Sequence, residues 1–353
     1  MTKTRWARVL IVESSASEAS LLVDGISRDQ RLAVAGVALS ASEAVSLSER
    51  LKPDVITVDL MLPDETGLDV ILRILRKQYV PMIVVSAPAL DGTSNLGFRA
   101  LLAGAADIVP KPRDGSVGLD EFFNDLNERI SLLAAAQAVP THPAAALRGQ
   151  RGKAHANGSS VDCVVVGAST GGPTALVELL NGLGSDFPAP VVIVQHIAAP
   201  FVEGLVRWLN QETPIPVELA RDGERMRPGC AYIAPASADL VLRPDAKLSV
   251  RPATPGRAHI APSADALFDS AADIYQGRCA GVLLSGMGKD GAAGLLKVRS
   301  KGGKTFAQDE RSCTVFGMPE AAGLLGAVES FSDPRTIAVN LRKLFEKSER
   351  IAG

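Results

Sequence analysis

What this sequence lacks narrows its function early. No apolar run approaches the roughly 20 residues that cross a bilayer. The opening stretch MTKTRWARVLIVESS holds an apolar run of only four residues, too short for the core of a secretory signal. Membrane insertion is therefore not expected. Lys and Arg number 37 against 39 Asp and Glu, for a net charge of −2, so there is no basic excess to meet a nucleic-acid backbone. Aromatic residues make up 4%, which leaves few platforms for stacked bases. The four cysteines, Cys163, Cys230, Cys279 and Cys313, show no C-x-x-C spacing. Two of them fall inside apolar runs, and all four read as reduced thiols of a cytoplasmic protein.

Acidic residues are missing altogether between Glu128 and Asp162. That stretch is rich in Ala, Pro, Gly and Ser and reads as a tether, residues 131–160, whose first part finishes a helix. Arg148, Arg151 and Lys153 read there as solvated charges. His142 and His155 lack metal-ligand spacing and read as exposed. The chain is 353 residues long, 46% hydrophobic and 22% charged. These values suit a folded protein of two ordinary domains, residues 1–130 and 161–350, on either side of the tether.

In the first domain, apolar runs at Val9–Val12, Leu32–Val37, Val55–Val58, Met82–Val85 and Ala106–Val109 alternate with helix-period segments. This pattern predicts a doubly wound, five-stranded parallel sheet. Ligands in such sheets bind beyond the carboxyl ends of the strands. Those ends carry Glu13 and Ser14, Asp59, Ser86 and Lys111. A hydroxyl and an ammonium converging on Asp59 suit phosphoryl transfer to that carboxylate.

The second domain opens on VDCVVVGASTGGPTAL. An apolar strand ends at a Gly-rich turn, and Pro173 starts an amphipathic helix. Ser169 sits on that turn, where a nucleophile could be mounted. GASTGG is also a near miss to the G-x-G-x-x-G phosphate turn of nucleotide-binding oxidoreductases, and a plain tight turn is a third reading. The run Val191–Val194 ends in Gln195 and His196, whereas a dinucleotide site wants an acidic residue there. Cys279–Leu284 runs into SGMGKDG and Asp290. If these strands share one parallel sheet, Ser169, His196 and Asp290 gather at one edge as nucleophile, base and orienting acid. Asp290 could instead cap the helix that begins near Ala292, and Asp309 rivals it as the third member. His259, before a helix capped by Ser263, reads as structural.

Two resemblances sharpen these expectations. The first domain resembles the flavodoxin-like receiver of two-component response regulators. In VDLMLPDETG, Asp59 corresponds to the phospho-acceptor, Ser86 to the switch hydroxyl and Lys111 to the family's lysine. The resemblance implies Mg²⁺ held by Glu13, Asp59 and Met61, with a chemotaxis histidine kinase as phosphodonor. Receivers carry two adjacent acids after the first strand, but here the pair is Glu13-Ser14. A hydroxyl is a poorer ligand than a carboxylate for this cation, so weakened Mg²⁺ binding follows.

In the second domain, GASTGGPTAL, VQHIAAPF, PSADALF, LLSGMGKDGAAG and AQDERSCTVFGMPEAA are similar to the catalytic domain of the chemotaxis protein-glutamate methylesterases, the CheB family. The resemblance implies an α/β parallel-sheet hydrolase domain with a small antiparallel hairpin region. Its triad falls on Ser169, His196 and Asp290, which demotes Asp309. Its oxyanion donor falls on the Met287 N–H, with Thr170 in support. The implied activity is hydrolysis of glutamate γ-methyl esters, and deamidation of glutamines, on methyl-accepting chemotaxis receptors, with no cofactor for catalysis. In the family the receiver blocks the catalytic face and phosphorylation relieves the block. A signalling adaptor without catalysis is disfavoured because all three triad positions are filled. An esterase or amidase acting on another protein is the alternative. The Glu13-Ser14 pair generates the first prediction: with acetyl phosphate and Mg²⁺, Asp59 is labelled slowly or not at all, and rapid stoichiometric labelling would overturn this.

Overall fold

The structure is a computed structural model that describes residues 6–87, 96–112, 118–138, 162–252 and 261–352. The tether with His142 and His155, its three basic residues, and His259 lie outside the described residues. The chain divides into two units, Met1–His142 and Pro143–Gly353, and each is taken by itself.

In the first unit the strands are β1 (Ala7–Val12), β2 (Leu32–Ala38), β3 (Val55–Val58), β4 (Met82–Ser86) and β5 (Asp107–Pro110). The helices between and after them are α1 (Ala16–Ser27), α2 (Ala41–Leu51), α3 (Gly67–Leu75), α4 (Leu96–Leu102) and α5 (Leu119–Ala138). The sheet order is β2-β1-β3-β4-β5 with every neighbour parallel, the flavodoxin-like arrangement. All four residues of β3 and all five of β4 are buried. This is why these strands read as unbroken apolar runs rather than alternating ones. Helix α5 continues through Ala138, so the alanine-rich start of the acid-free stretch is helical.

The second unit begins with β6 (Cys163–Ala168), α6 (Gly172–Leu183), β7 (Val191–Gln195), α7 (Val202–Glu212), β8 (Val217–Leu219) and β9 (Ala231–Ile233). A hairpin follows, β10 (Ala238–Arg243) and β11 (Lys247–Pro252), antiparallel with Ala238 opposite Pro252. The chain then makes α8 (Ala264–Tyr275), β12 (Cys279–Leu283), α9 (Ala292–Ser300), β13 (Lys304–Gln308), α10 (Met318–Leu324), β14 (Ser330–Ser332) and α11 (Pro334–Ala352).

The seven-stranded sheet runs β14-β13-β12-β6-β7-β9-β8, parallel throughout. From β6 the chain winds outward through β7 to β9 and β8, then returns to β12 on the other side of β6. The order reverses at β6, and a crevice opens where the chains leaving adjacent strands diverge. The loops after β6, β7 and β12 are the ones that border it.

Helix α8 packs on one face of this sheet. Leu267, Phe268, Ala271 and Ala272 are fully buried, in one cluster with Leu283, Leu295 and Val298. On α11, Arg342 reaches α6 through the Leu183 carbonyl and makes a two-pronged ion pair with Asp186 at 2.8 and 2.9 Å. Among the described residues no helix is long and apolar enough to cross a membrane. Phe268→Ala removes the largest fully buried side chain of α8 from this core. It should lower the stability of the second unit by about 3–5 kcal/mol, read as a drop in its urea midpoint at unchanged slope.

Candidate active site

Strand β6 delivers Ser169 to the crevice. Its N–H donates to the Ser285 carbonyl at 3.0 Å, and its own carbonyl accepts the Gly172 N–H at 2.7 Å. The turn needs Gly171, which adopts φ +77° and would press any Cβ to 2.4 Å from Thr314 Oγ1. Pro173 lies in the first turn of α6. Ser169 is 5% exposed, and among the described residues its Oγ has no hydrogen-bond partner.

His196 follows β7 directly. Ala168 pairs with Gln195 across the β6/β7 ladder, and the His196 N–H donates to the Ala168 carbonyl at 2.9 Å. Ser169 and His196 are therefore the first residues past paired ends of adjacent strands, which lie about 4.8 Å apart in a sheet. Gln195, buried at the same edge, donates from Nε2 to the carbonyls of both Ser169, at 2.8 Å, and His196, at 3.0 Å.

Asp290 reaches the same place from the loop after β12. Its Oδ2 lies 2.9 Å from His196 Nε2. An ionised carboxylate only accepts, so Nε2 carries the proton and the Nδ1 lone pair is left to take another. Gly291, not Asp290, is the N-cap of α9. The Asp290 carboxylate instead receives the start of α8: Ser263 Oγ at 2.9 Å, the Ala264 N–H at 2.7 Å and the Asp265 N–H at 3.1 Å. Burial alone would raise its pKa, but the hydrogen bond and charge of His196 and the two N–H groups outweigh it and hold the carboxyl below its ordinary value.

The loop after β12 also packs directly against the Ser169 turn. A Cβ on Gly286 would meet Ser169 Cβ at 2.8 Å, so only glycine lets the loop come this close. The Gly286 carbonyl accepts from both Gly317 and Met318. The next N–H, that of Met287, has no partner among the described residues and is available to an oxyanion. Thr170 presents its carbonyl to Ser285 Oγ at 2.8 Å, a contact that fixes the turn. Asp309 goes elsewhere: its carboxylate accepts from Ser312 N and Oγ, closing a turn. Sequence reasoning missed the structural weight of Gln195, Ser263 and Ser285, since each acts on a group far away in the chain: Gln195 and Ser285 on backbone carbonyls, Ser263 on the Asp290 carboxylate.

In the first unit the strand ends also converge. Asp59 Oδ1 accepts from Ser86 Oγ at 3.0 Å and from the Met61 N–H at 3.3 Å, while Oδ2 meets Lys111 Nζ at 2.7 Å. Lys111 also contacts Glu13 Oε2 and Glu18 Oε2, each at 2.5 Å. Burial opposes the Lys111 charge, yet hydrogen bonds to Asp59, Glu13 and Glu18 raise its pKa above the ordinary value. Burial raises the Glu13 pKa, in spite of Lys111. Ser14 Oγ donates to the Met61 carbonyl at 3.1 Å. Glu18 was not foreseen. The donor set fits Mg²⁺, a hard cation that takes oxygen ligands: carboxylate oxygens of Glu13, Glu18 and Asp59 lie within 4.8 Å of one another.

Comparison with known proteins follows the same division. A family profile described as CheB methylesterase matches residues 164–341, and one described as response regulator receiver domain matches residues 9–120. A protein-glutamate methylesterase/protein-glutamine glutaminase 2 of Anaeromyxobacter dehalogenans is 41% identical, over 96% of each chain. A protein-glutamate methylesterase/protein-glutamine glutaminase 3 of Myxococcus xanthus is 39% identical, over 91% of this chain and 89% of that protein. The crystal structure of the Thermotoga maritima CheB methylesterase catalytic domain is 36% identical with a TM-score of 0.50, covering 53% of this chain and all of that one.

The Asp290 contacts generate a pH prediction. Because the folded carboxyl titrates below its ordinary 3.8, its stabilisation is complete above that value and fades as the pH falls beneath it. Asp290→Asn should cost roughly 1.5–3 kcal/mol near neutrality. In urea titrations at stepped pH, the gap to the native chain should close only in acid.

Proposed function

Because the chain belongs to the CheB methylesterase family, here joined to a response regulator receiver domain, we propose that it hydrolyses glutamate γ-methyl esters on methyl-accepting chemotaxis receptors and deamidates selected receptor glutamines. The observation that carries this reading is the His196–Asp290 pair, Nε2 to Oδ2 at 2.9 Å, beside Ser169 at the point where the strand order reverses.

The chemistry follows from those atoms. His196 Nδ1 accepts the Ser169 proton as Oγ attacks the ester carbonyl. Asp290 keeps the ring in the Nε2–H tautomer and stabilises the imidazolium that forms. The Met287 N–H and the start of α6 face the developing oxyanion. Collapse of the tetrahedral intermediate takes the proton back from Nδ1 and releases methanol, or ammonia from a glutamine. Water, deprotonated by the same nitrogen, then opens the acyl-enzyme to free glutamate and Ser169. No step asks for a metal or a redox group.

The receiver supplies regulation. A phosphoryl group on Asp59, donated by a chemotaxis histidine kinase, would lie against Ser86 and Lys111, which already contact the carboxylate. It controls the esterase only by binding one of two arrangements better than the other. Receptor cytoplasmic helices as substrate place the enzyme in the cytoplasm.

The test is methanol release from a methylated receptor. The native chain should release it, Ser169→Ala should be slower by about three orders of magnitude or more, and EDTA should leave the unphosphorylated rate unchanged. Methanol release by Ser169→Ala at the native rate would sink the mechanism. Turnover of simple esters without turnover of the receptor would point to another protein substrate.

A further inference from the structure

The geometry assigns to Glu18 a role in a divalent-cation site of the receiver: it supplies, from the first turn of α1, the carboxylate that position 14 lacks.

Local structure explains why this side chain is free to do so. Ser15 is the N-cap of α1 and accepts from the Glu18 N–H, which sets up a capping box in which Glu18 would fold back onto the Ser15 N–H. In α3 the equivalent box is closed, with Thr66 and Asp69 bonded both ways. In α1 it is not, because the Ser15 N–H is already taken by Glu13 Oε1 at 2.9 Å. Glu18 swings instead across the carboxyl edge of the sheet to Lys111, 93 residues away.

The result is an imbalance of charge. Carboxylates of Glu13, Glu18 and Asp59 crowd within 4.8 Å around the ammonium of Lys111, the one cation that contacts them among the described residues. Like charges at such distances repel, and one ammonium leaves an excess of two negative charges. A divalent cation neutralises that excess. Mg²⁺ accepts one or two carboxylates and completes its shell with water and carbonyl oxygen. Ser14 Oγ is engaged with the Met61 carbonyl, so it braces a carbonyl donor while Glu18 brings the charge that a serine cannot. Affinity remains below that of a receiver with both adjacent acids, and what affinity there is depends on Glu18. The inference concerns the receiver alone and does not rest on the esterase reading.

The experiment titrates the full-length protein with Mn²⁺, reads the free ion by electron paramagnetic resonance, and displaces it with Mg²⁺. One site per chain is expected. Glu18→Gln should weaken binding about tenfold or more, and Asp59→Asn should weaken it further. Ser14→Asp placed on top of Glu18→Gln should restore it, since either position then supplies the third carboxylate. Glu18 is half-exposed, and unchanged circular dichroism would show that Glu18→Gln still folds. Native affinity in Glu18→Gln, failure of Ser14→Asp to restore binding, or no Mn²⁺ bound by the native chain at millimolar ion would each overturn the proposal.

Discussion

The contact on which the catalytic half depends is the Asp290 carboxylate set against the start of α8. Its side chain is only 13% exposed, and removing a carboxylate from water costs several kcal/mol unless partners replace the solvent. Here an imidazole, a hydroxyl and two backbone N–H groups do so, and the positive end of the α8 dipole adds to them. Helix α8 can offer those groups only while Phe268 and Leu267 hold it on the sheet. Asp265 ties it further to α9, accepting the Gly294 N–H at 2.7 Å. The apolar core therefore acts on the site through one helix end. If α8 moved, Asp290 would lose its anchors and His196 the acceptor that fixes its tautomer.

The crevice imposes a second constraint. Three loops that leave diverging strands have no ladder to satisfy their backbone groups, yet those groups are buried and must be paired. Side chains take over. Gln195 ties Ser169 to His196 through their carbonyls. Ser285 bonds Thr170 and Val315, and Gln308 Oε1 accepts the Ser285 N–H at 2.8 Å. Each links two loops, so the nucleophile turn is held from both sides by polar residues that take no part in the chemistry.

These facts mark how far the sequence could be read. Buried parallel strands write themselves as apolar runs, and the residue after each run is the one the sheet presents. Asp59, Ser86, Lys111, Ser169 and His196 were legible for that reason. That the three strands share one parallel sheet was a supposition of the sequence reading, and the order β12-β6-β7 puts the Asp290 loop beside the other two. The anchoring of Asp290 was not legible, because Ser263 lies 27 residues away and its local role as a helix cap accounts for it fully. Glu18 was hidden the same way. A glutamate three residues after a serine announces a capping box, and only the fold shows that Glu13 has taken its place.

The two halves meet the same problem of placing a carboxylate beyond the end of a parallel strand and solve it with different partners. Asp290 faces an imidazole, which can gain a proton and lose it again within one turnover. Its hydrogen bonds to α8 favour the charged carboxylate, so in the proposed reaction the proton moves on His196 alone. Asp59 faces the Lys111 ammonium, whose charge is reinforced by three carboxylates and does not cycle. A fixed charge is of no use in shuttling a proton, but it suits a site where negative charge is to be added, as on phosphorylation. The choice of partner, imidazole or ammonium, separates a centre built to turn over from one built to hold a state.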